Sequence, residues 1–206
     1  MIEANNSKEP LVDVAKYCPS IINGFGPLRL RYGKDIYLRE GVAKMLAKAQ
    51  GYLPEGVTFI ILDAWRPKEA QLKFYDYYYK KFETNNPNWT KEKIAEIAGK
   101  YAIAPDKLFR AGHLTGGAID LELWKNGKRL PIMARKIPFT DAVKTSSTKL
   151  PTNVKATRKI FINAMSKAGF ANYPEEYWHW CYGDYMWAEL TKNKCTIYGI
   201  IEPKLS

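Results

Sequence analysis

Two histidines, His113 and His179, are all the imidazole in this 206-residue chain, and each stands among other reactive groups. His113 opens the run His113-Leu114-Thr115-Gly116-Gly117-Ala118-Ile119-Asp120, and His179 closes Glu176-Tyr177-Trp178-His179. Taken alone, either histidine reads as an ordinary surface or satisfied core residue. Taken with Asp120, they make two imidazoles and one carboxylate, a donor set that suits Zn²⁺ with a fourth position left to water. One zinc per chain is therefore expected, on His113, Asp120 and His179. The Gly116-Gly117 pair lets the backbone turn between His113 and the segment carrying Asp120. The ion and a single carboxylate leave net positive charge, which acidifies bound water and attracts an oxyanion.

Water activation also needs a base, and Glu176 lies three residues before His179. In extended chain the two would point to opposite faces, so a turn or bulge near Glu176 is required. The competing reading is a solvated carboxylate in the turn Pro174-Glu175-Glu176. Arg66 follows an apolar run at its end, where functional side chains are often displayed. Its fixed charge suits a developing oxyanion, against the alternative of an ion pair with Asp63. Other chemistries fail by counting. There is no His-Glu-x-x-His, and two histidines cannot make a three-histidine site. Only one Glu-x-x-His exists where a di-iron bundle needs two, and no Gly-x-Ser-x-Gly, P-loop or Gly-x-Gly-x-x-Gly occurs. Cys181 with a histidine is a formal nucleophile pair, but its apolar aromatic surroundings favour the core.

The elements that must hold these groups are mixed. Val42, Met45, Leu46 and Ala49 recur at helical spacing over 39–50, and Gly51 closes that helix. Val57–Leu62 reads as a buried strand. Pro67 opens a helix to about Phe82, and a second helix spans Lys91 to Tyr101. Ala104–Gly112 reads as loop. Residues 117–123 alternate, with Ala118, Asp120 and Glu122 on one face and Ile119, Leu121 and Leu123 on the other. Residues 128–151 read as a long loop, and Asn153 caps a helix to Ala168 that Gly169 ends. Tyr177–Cys181 and Thr196–Ile201 read as strands. Without strict βαβ alternation the class is α+β: one compact domain, an antiparallel sheet carrying the zinc site, helices around it, and residues 1–10 a flexible N-terminus.

Composition narrows the partners. Hydrophobic residues at 46% and charged residues at 26% are ordinary for a globular chain, which excludes collagen-like and mostly disordered classes. The 32 Lys+Arg against 21 Asp+Glu give +11, a balance that favours anionic neighbours. The basic residues are spread along the chain, with only short runs such as 91–93 and 125–129, so no nucleic-acid face is expected. Three cysteines without Cys-x-x-Cys exclude a disulfide framework or a cysteine-rich knuckle. No apolar segment approaches the length of a membrane span. The first residues lack the apolar core of a signal peptide, from which a cytoplasmic location is expected.

Asp63-x-x-Arg66-Pro67, His113-x-x-Gly116-x-Ala118-x-Asp120 and Glu176-x-Trp178-His179 together resemble the D-alanyl-D-alanine dipeptidase family. These are zinc metallopeptidases best known from vancomycin resistance, and they share a small α+β fold with D,D-carboxypeptidases and the Hedgehog signalling domain. The resemblance implies zinc on His113, Asp120 and His179, Glu176 as general base and then acid, and Arg66 stabilising the transition state. It implies Tyr17, in Tyr17-Cys18-Pro19, as a substrate contact; the residue alone reads equally as a packed tyrosine. The implied substrate is a small D-configured peptide such as D-Ala-D-Ala, the alternative being D,D- or L,D-cleavage of peptidoglycan stem peptides. Ala111 stands two residues before the first zinc histidine where the family commonly has Ser, which removes a hydroxyl from the expected pocket.

Overall fold

The computed structural model describes residues 2–25 and 34–202. Strands β1 (Leu11–Asp13), β2 (Ile22–Asn23) and β3 (Tyr37–Arg39) precede helix α1 (Glu40–Gln50). α1 buries Val42, Ala43, Leu46 and Ala49, the stripe that helical spacing demands. The β-branched run becomes β4 (Val57–Asp63). Pro67, with its fixed φ and no N–H to lose, stands at the N-cap of α2 (Lys68–Asn85). The hydroxyl of Thr90 accepts from the Lys93 N–H to start α3 (Lys91–Ala98). Two 3₁₀ turns, 105–110 and 112–115, lead to β5 (Ala118–Lys125) and the short β6 (Lys128–Arg129). Then follow α4 (Phe139–Val143), α5 (Thr152–Ala168), β7 (Ala171–Asn172), β8 (His179–Cys181) and α6 (Tyr185–Thr191).

The main sheet runs β2-β4-β5-β8-β7, with β6 also on β5, and β1 pairs β3 separately. β2 joins β4 in parallel; the other pairings are antiparallel. The fold is thus α+β with a mixed sheet, one parallel pair more than the antiparallel expectation. Alternation along β5 sends Ile119, Leu121 and Leu123 into the core, all fully buried beside Phe59, Ile61 and Trp180. α1 and α5 complete that core through Leu46, Phe161 and Met165. Each such side chain is worth roughly 1.5–3 kcal/mol when fully buried. A second, smaller cluster joins α2 to α3: Tyr75, Ala98 and Ala102, with Phe74, Tyr78, Tyr79 and Phe82 around them.

Several further expectations change. The strand read over Tyr177–Cys181 forms only at His179–Cys181, and the loop read over Ala104–Gly112 contains the 3₁₀ turn 105–110. Residues 2–10, read as a flexible N-terminus, are bonded to the rest of the chain: Glu3 pairs with Cys195 and Ser7 N–H donates to Ile197 O. Their chief tie is Arg39, 1% exposed. Its guanidinium donates to the Ser7, Glu9, Thr115 and Gly199 carbonyls and to Asn6 Oδ1. Residues 196–201 bond to Glu3, Gly183 and Leu114 through scattered backbone hydrogen bonds, two of them converging on Gly183 O, instead of forming a strand ladder. The region 128–151 contains β6 and α4. Pro151, not Asn153, stands at the start of α5.

Candidate active site

Three strands meet in a row. A register shift in β4 between Ile61 and Asp63 brings Asp63 opposite Asp120, and Asp120 in turn pairs with His179 on β8. Directly opposed residues of antiparallel strands share a face, so Asp63, Asp120 and His179 project together from the side away from the core. His113 arrives from the 3₁₀ turn 112–115, and the end of β4 holds it twice. Its Nδ1–H donates to Ala64 O at 2.8 Å, and its carbonyl accepts from Arg66 N–H at 3.1 Å. With Nδ1 so used, Nε2 is the atom free to ligate.

Two glycines make this turn possible. Gly116 has φ +71°, and a Cβ there would lie 2.5 Å from Leu11 Cδ2. At Gly112 a Cβ would fall 2.0 Å from Asp184 Oδ2. Asp184 is fully buried, and its other oxygen accepts from Trp187 N–H to cap α6. Nothing in the sequence marked Asp184, yet it packs directly behind the His113 turn. Burial raises its carboxyl pKa, and the two histidines oppose that.

The ligating atoms of His113, Asp120 and His179 all lie within 4.8 Å of one another. His113 Nε2 is 3.4 Å from Asp120 Oδ1, and His179 Nδ1 is 2.9 Å from the same oxygen. A tetrahedral ion with ligand bonds of 2.0–2.1 Å sets its ligand atoms about 3.3 Å apart. The triad therefore fits a divalent ion of zinc's size. Burial alone would raise the Asp120 pKa, but the adjacent His113 and His179 rings outweigh it and hold the carboxylate well below its usual range. Burial would lower His179, but the hydrogen bond to Asp120 and that carboxylate's charge raise it to about 8.

The turn required before His179 is present: His179 N–H donates to Glu176 O at 3.1 Å and Glu176 N–H to Tyr173 O at 3.0 Å. The solvated member of Pro-Glu-Glu is Glu175, exposed and paired with Lys144. Glu176 is half-buried. Burial raises its pKa; the charge of His179 opposes that, Asp120 adds to the rise and His113 lowers it again. Its carboxyl therefore lies within electrostatic reach of the whole triad.

Arg66 does form the ion pair with Asp63, through Nε and Nη2, but that is not its only partner. Nη1 donates to Gln71 Oε1 at 2.6 Å, and the Phe74 ring lies 4.3 Å from the guanidinium carbon. The charges of both Arg66 and Glu176 act on the Tyr78 phenol, one lowering and one raising its pKa, after the larger effect of burial. Tyr17 has partners of its own. Its hydroxyl donates to Glu40 Oε1 at 3.0 Å at the start of α1, and its ring packs at the core margin. Ala111 is buried at the entry to the His113 turn. Gln71, Tyr78 and Asp184 carry no sequence signal of function: each is a common residue in a helix or loop, and only the fold brings it here.

A family model described as D-Ala-D-Ala dipeptidase matches residues 22–195. A search among curated proteins finds no match.

Proposed function

This chain belongs to the M15 peptidase family, the D-Ala-D-Ala dipeptidase family, and from that premise we propose that it is a zinc dipeptidase hydrolysing D-Ala-D-Ala or a similar D-configured dipeptide. The observation that carries this reading is the convergence of His113, Asp120 and His179 within 4.8 Å, with Glu176 half-buried beside them. Those three residues would hold the ion, one per chain. A bound Zn²⁺ there supplies Lewis acidity, lowering the pKa of water and polarising the scissile carbonyl.

The chain's own residues do the rest. Glu176 takes a proton from the attacking water as its oxygen adds to the carbonyl carbon. It returns that proton to the leaving nitrogen as the C–N bond breaks. Burial raises the Glu176 pKa and makes its carboxylate the stronger base for the first task, and the leaving nitrogen, far more basic once the C–N bond breaks, draws the proton back. Arg66 donates to the carbonyl oxygen as that atom gains charge, and the contact strengthens as the reaction advances. The Ala64 carbonyl keeps the His113 ring in one tautomer and orientation.

Two measurements test the reading on full-length protein. Metal analysis after purification without added metal should find about one zinc per chain. Then kcat/KM for D-Ala-D-Ala, its N-acetyl derivative and a pentapeptide ending in D-Ala-D-Ala should fall in that order. A free-dipeptide enzyme must pair the substrate's ammonium, and a buried partner left unpaired costs roughly 1–3 kcal/mol, about one to two decades. Equal or faster cleavage of the blocked and extended substrates would replace the dipeptidase reading with a carboxypeptidase one. Full activity in metal-free protein would remove the metal from it.

A further inference from the structure

We infer that Gln71 is a positioning residue for the reaction, a neutral second acceptor that aims the Arg66 guanidinium. This rests on the reading of Arg66 as donor to the developing oxyanion. Gln71 sits near the start of α2, where Lys68 and Glu69 are exposed, yet it is itself only 2% exposed. Burying an amide costs free energy unless its polar atoms find partners. Its Oε1 accepts from Arg66 Nη1 at 2.6 Å, and its Nε2 donates to Ile103 O across a longer 3.4 Å. The shorter contact is the one to the arginine.

Arginine has five N–H donors in a rigid plane. Asp63 Oδ2 takes those of Nε and Nη2, Gln71 takes one on Nη1, and Phe74 lies against the face. Among the described residues, one N–H on each terminal nitrogen is left to donate. Asp63 alone holds the guanidinium along one side and leaves the Nη1 end to swing. Gln71 fixes that end. The amide matters because Asp63 already offsets the positive charge. A second carboxylate would hold the plane equally well but would set two negative charges against one cation, weakening its response to a third negative group. Gln71 therefore supplies direction without further neutralisation.

The test uses the zinc-loaded full chain with D-Ala-D-Ala, comparing the parent, Gln71→Met, Gln71→Glu, Arg66→Ala and the double variant Arg66→Ala/Gln71→Met. Gln71→Met should lower kcat roughly 10- to 100-fold, with KM within about threefold and zinc content unchanged. In the Arg66→Ala background the same change should cost almost nothing, because the residue it acts through is gone. Gln71→Glu should also lower kcat, although it keeps the acceptor. A ¹⁵N NMR spectrum of the arginine side chains gives a readout independent of turnover. Arg66 Nη rotation should be hindered in the parent and in Gln71→Glu, and free in Gln71→Met. Equal losses in both backgrounds, or parental kcat in Gln71→Met, would overturn the inference and leave Gln71 a structural tie to Ile103. Parental kcat in Arg66→Ala, or no hydrolysis by the parent, would instead overturn the functional reading. The spectrum then decides alone, and freely rotating Nη groups in the parent would refute the positioning role. Should Gln71→Met not fold, the isosteric Gln71→Glu and the parent spectrum decide in the same way.

Discussion

The two halves of the candidate site are built by different means. The half proposed to hold the metal is a product of the sheet: Asp120 and His179 face each other through the β5–β8 register, and His113 is clamped by main-chain atoms of residues 64 and 66. The arginine half is a product of side chains: Asp63, Gln71 and Phe74 surround Arg66, and Phe74 belongs to the small α2–α3 cluster instead of the main core. Moving the first half means disrupting a hydrogen-bond ladder packed on fully buried residues. Moving the second needs only a change in one aromatic or amide contact. Metal affinity and transition-state stabilisation should therefore fail separately.

The strongest attempt to break that division is Glu176→Ala. Turnover should fall by about 10²–10⁴, the usual contribution of a general acid–base group, while zinc content stays at the parental level. Loss of zinc with the rate would make Glu176 a ligand and merge it with the metal half. Arg66→Lys comes next. Lysine keeps the charge but loses the planar fork that Asp63 and Gln71 grip, and a fall of about 10²–10³ in kcat is expected. KM should rise much less, since the contact strengthens only as charge develops. A change confined to KM would reduce Arg66 to ground-state binding.

A titration sharpens the metal half. With the metal removed, His179 keeps its proton up to about pH 8, because Asp120 favours the charged ring. Metal and proton compete for the same nitrogen. Raising the pH removes the competitor, so zinc affinity should climb about tenfold per pH unit below pH 8 and level off above it. Calorimetric titration at pH 6, 7, 8 and 9 measures this, and a flat profile would mean that His179 Nδ1 is not a ligand. The smallest effect is expected from Tyr101→Ala. Tyr101 is half exposed and stacks on Tyr78 at 5.1 Å. Its removal should cost about 1 kcal/mol of stability and lower kcat a few-fold through the α2–α3 cluster, with zinc affinity unaltered. A drop in zinc affinity would show the two halves to be coupled.

The metal half was legible in the sequence because its residues are rare and its strand alternates: two histidines, one aspartate on the face opposite Ile119 and Leu121, and glycines where a turn was needed. The turn before His179 entered only as a condition for Glu176 to act beside that histidine, and the strand read from Tyr177 begins only at His179. The arginine half was less legible. Gln71 lies in Lys68-Glu69-Ala70-Gln71, a stretch that looks solvated, and nothing local shows that α2 turns this one amide inward. The β4 register shift that sets Asp63 level with Asp120 has no sequence signal either, since strand pairing is a long-range property. Thr196–Ile201 shows the converse error: its β-branched and aromatic residues fit a pleated surface, but its neighbours offer only scattered acceptors.

Arg39 gives the termini an unexpected importance. Its buried guanidinium gathers acceptors from residues 6, 7 and 9, from Gly199, and from Thr115, two positions after His113. Each hydrogen bond to a charged group is worth about 1.5–3 kcal/mol. A protease that clips the first nine residues, or an expression design that trims them as dispensable, would strand this cation and slacken the loop that presents His113. Tolerance to shortening should therefore be read out as metal retention, with residues far from the catalytic face in sequence acting as its anchors.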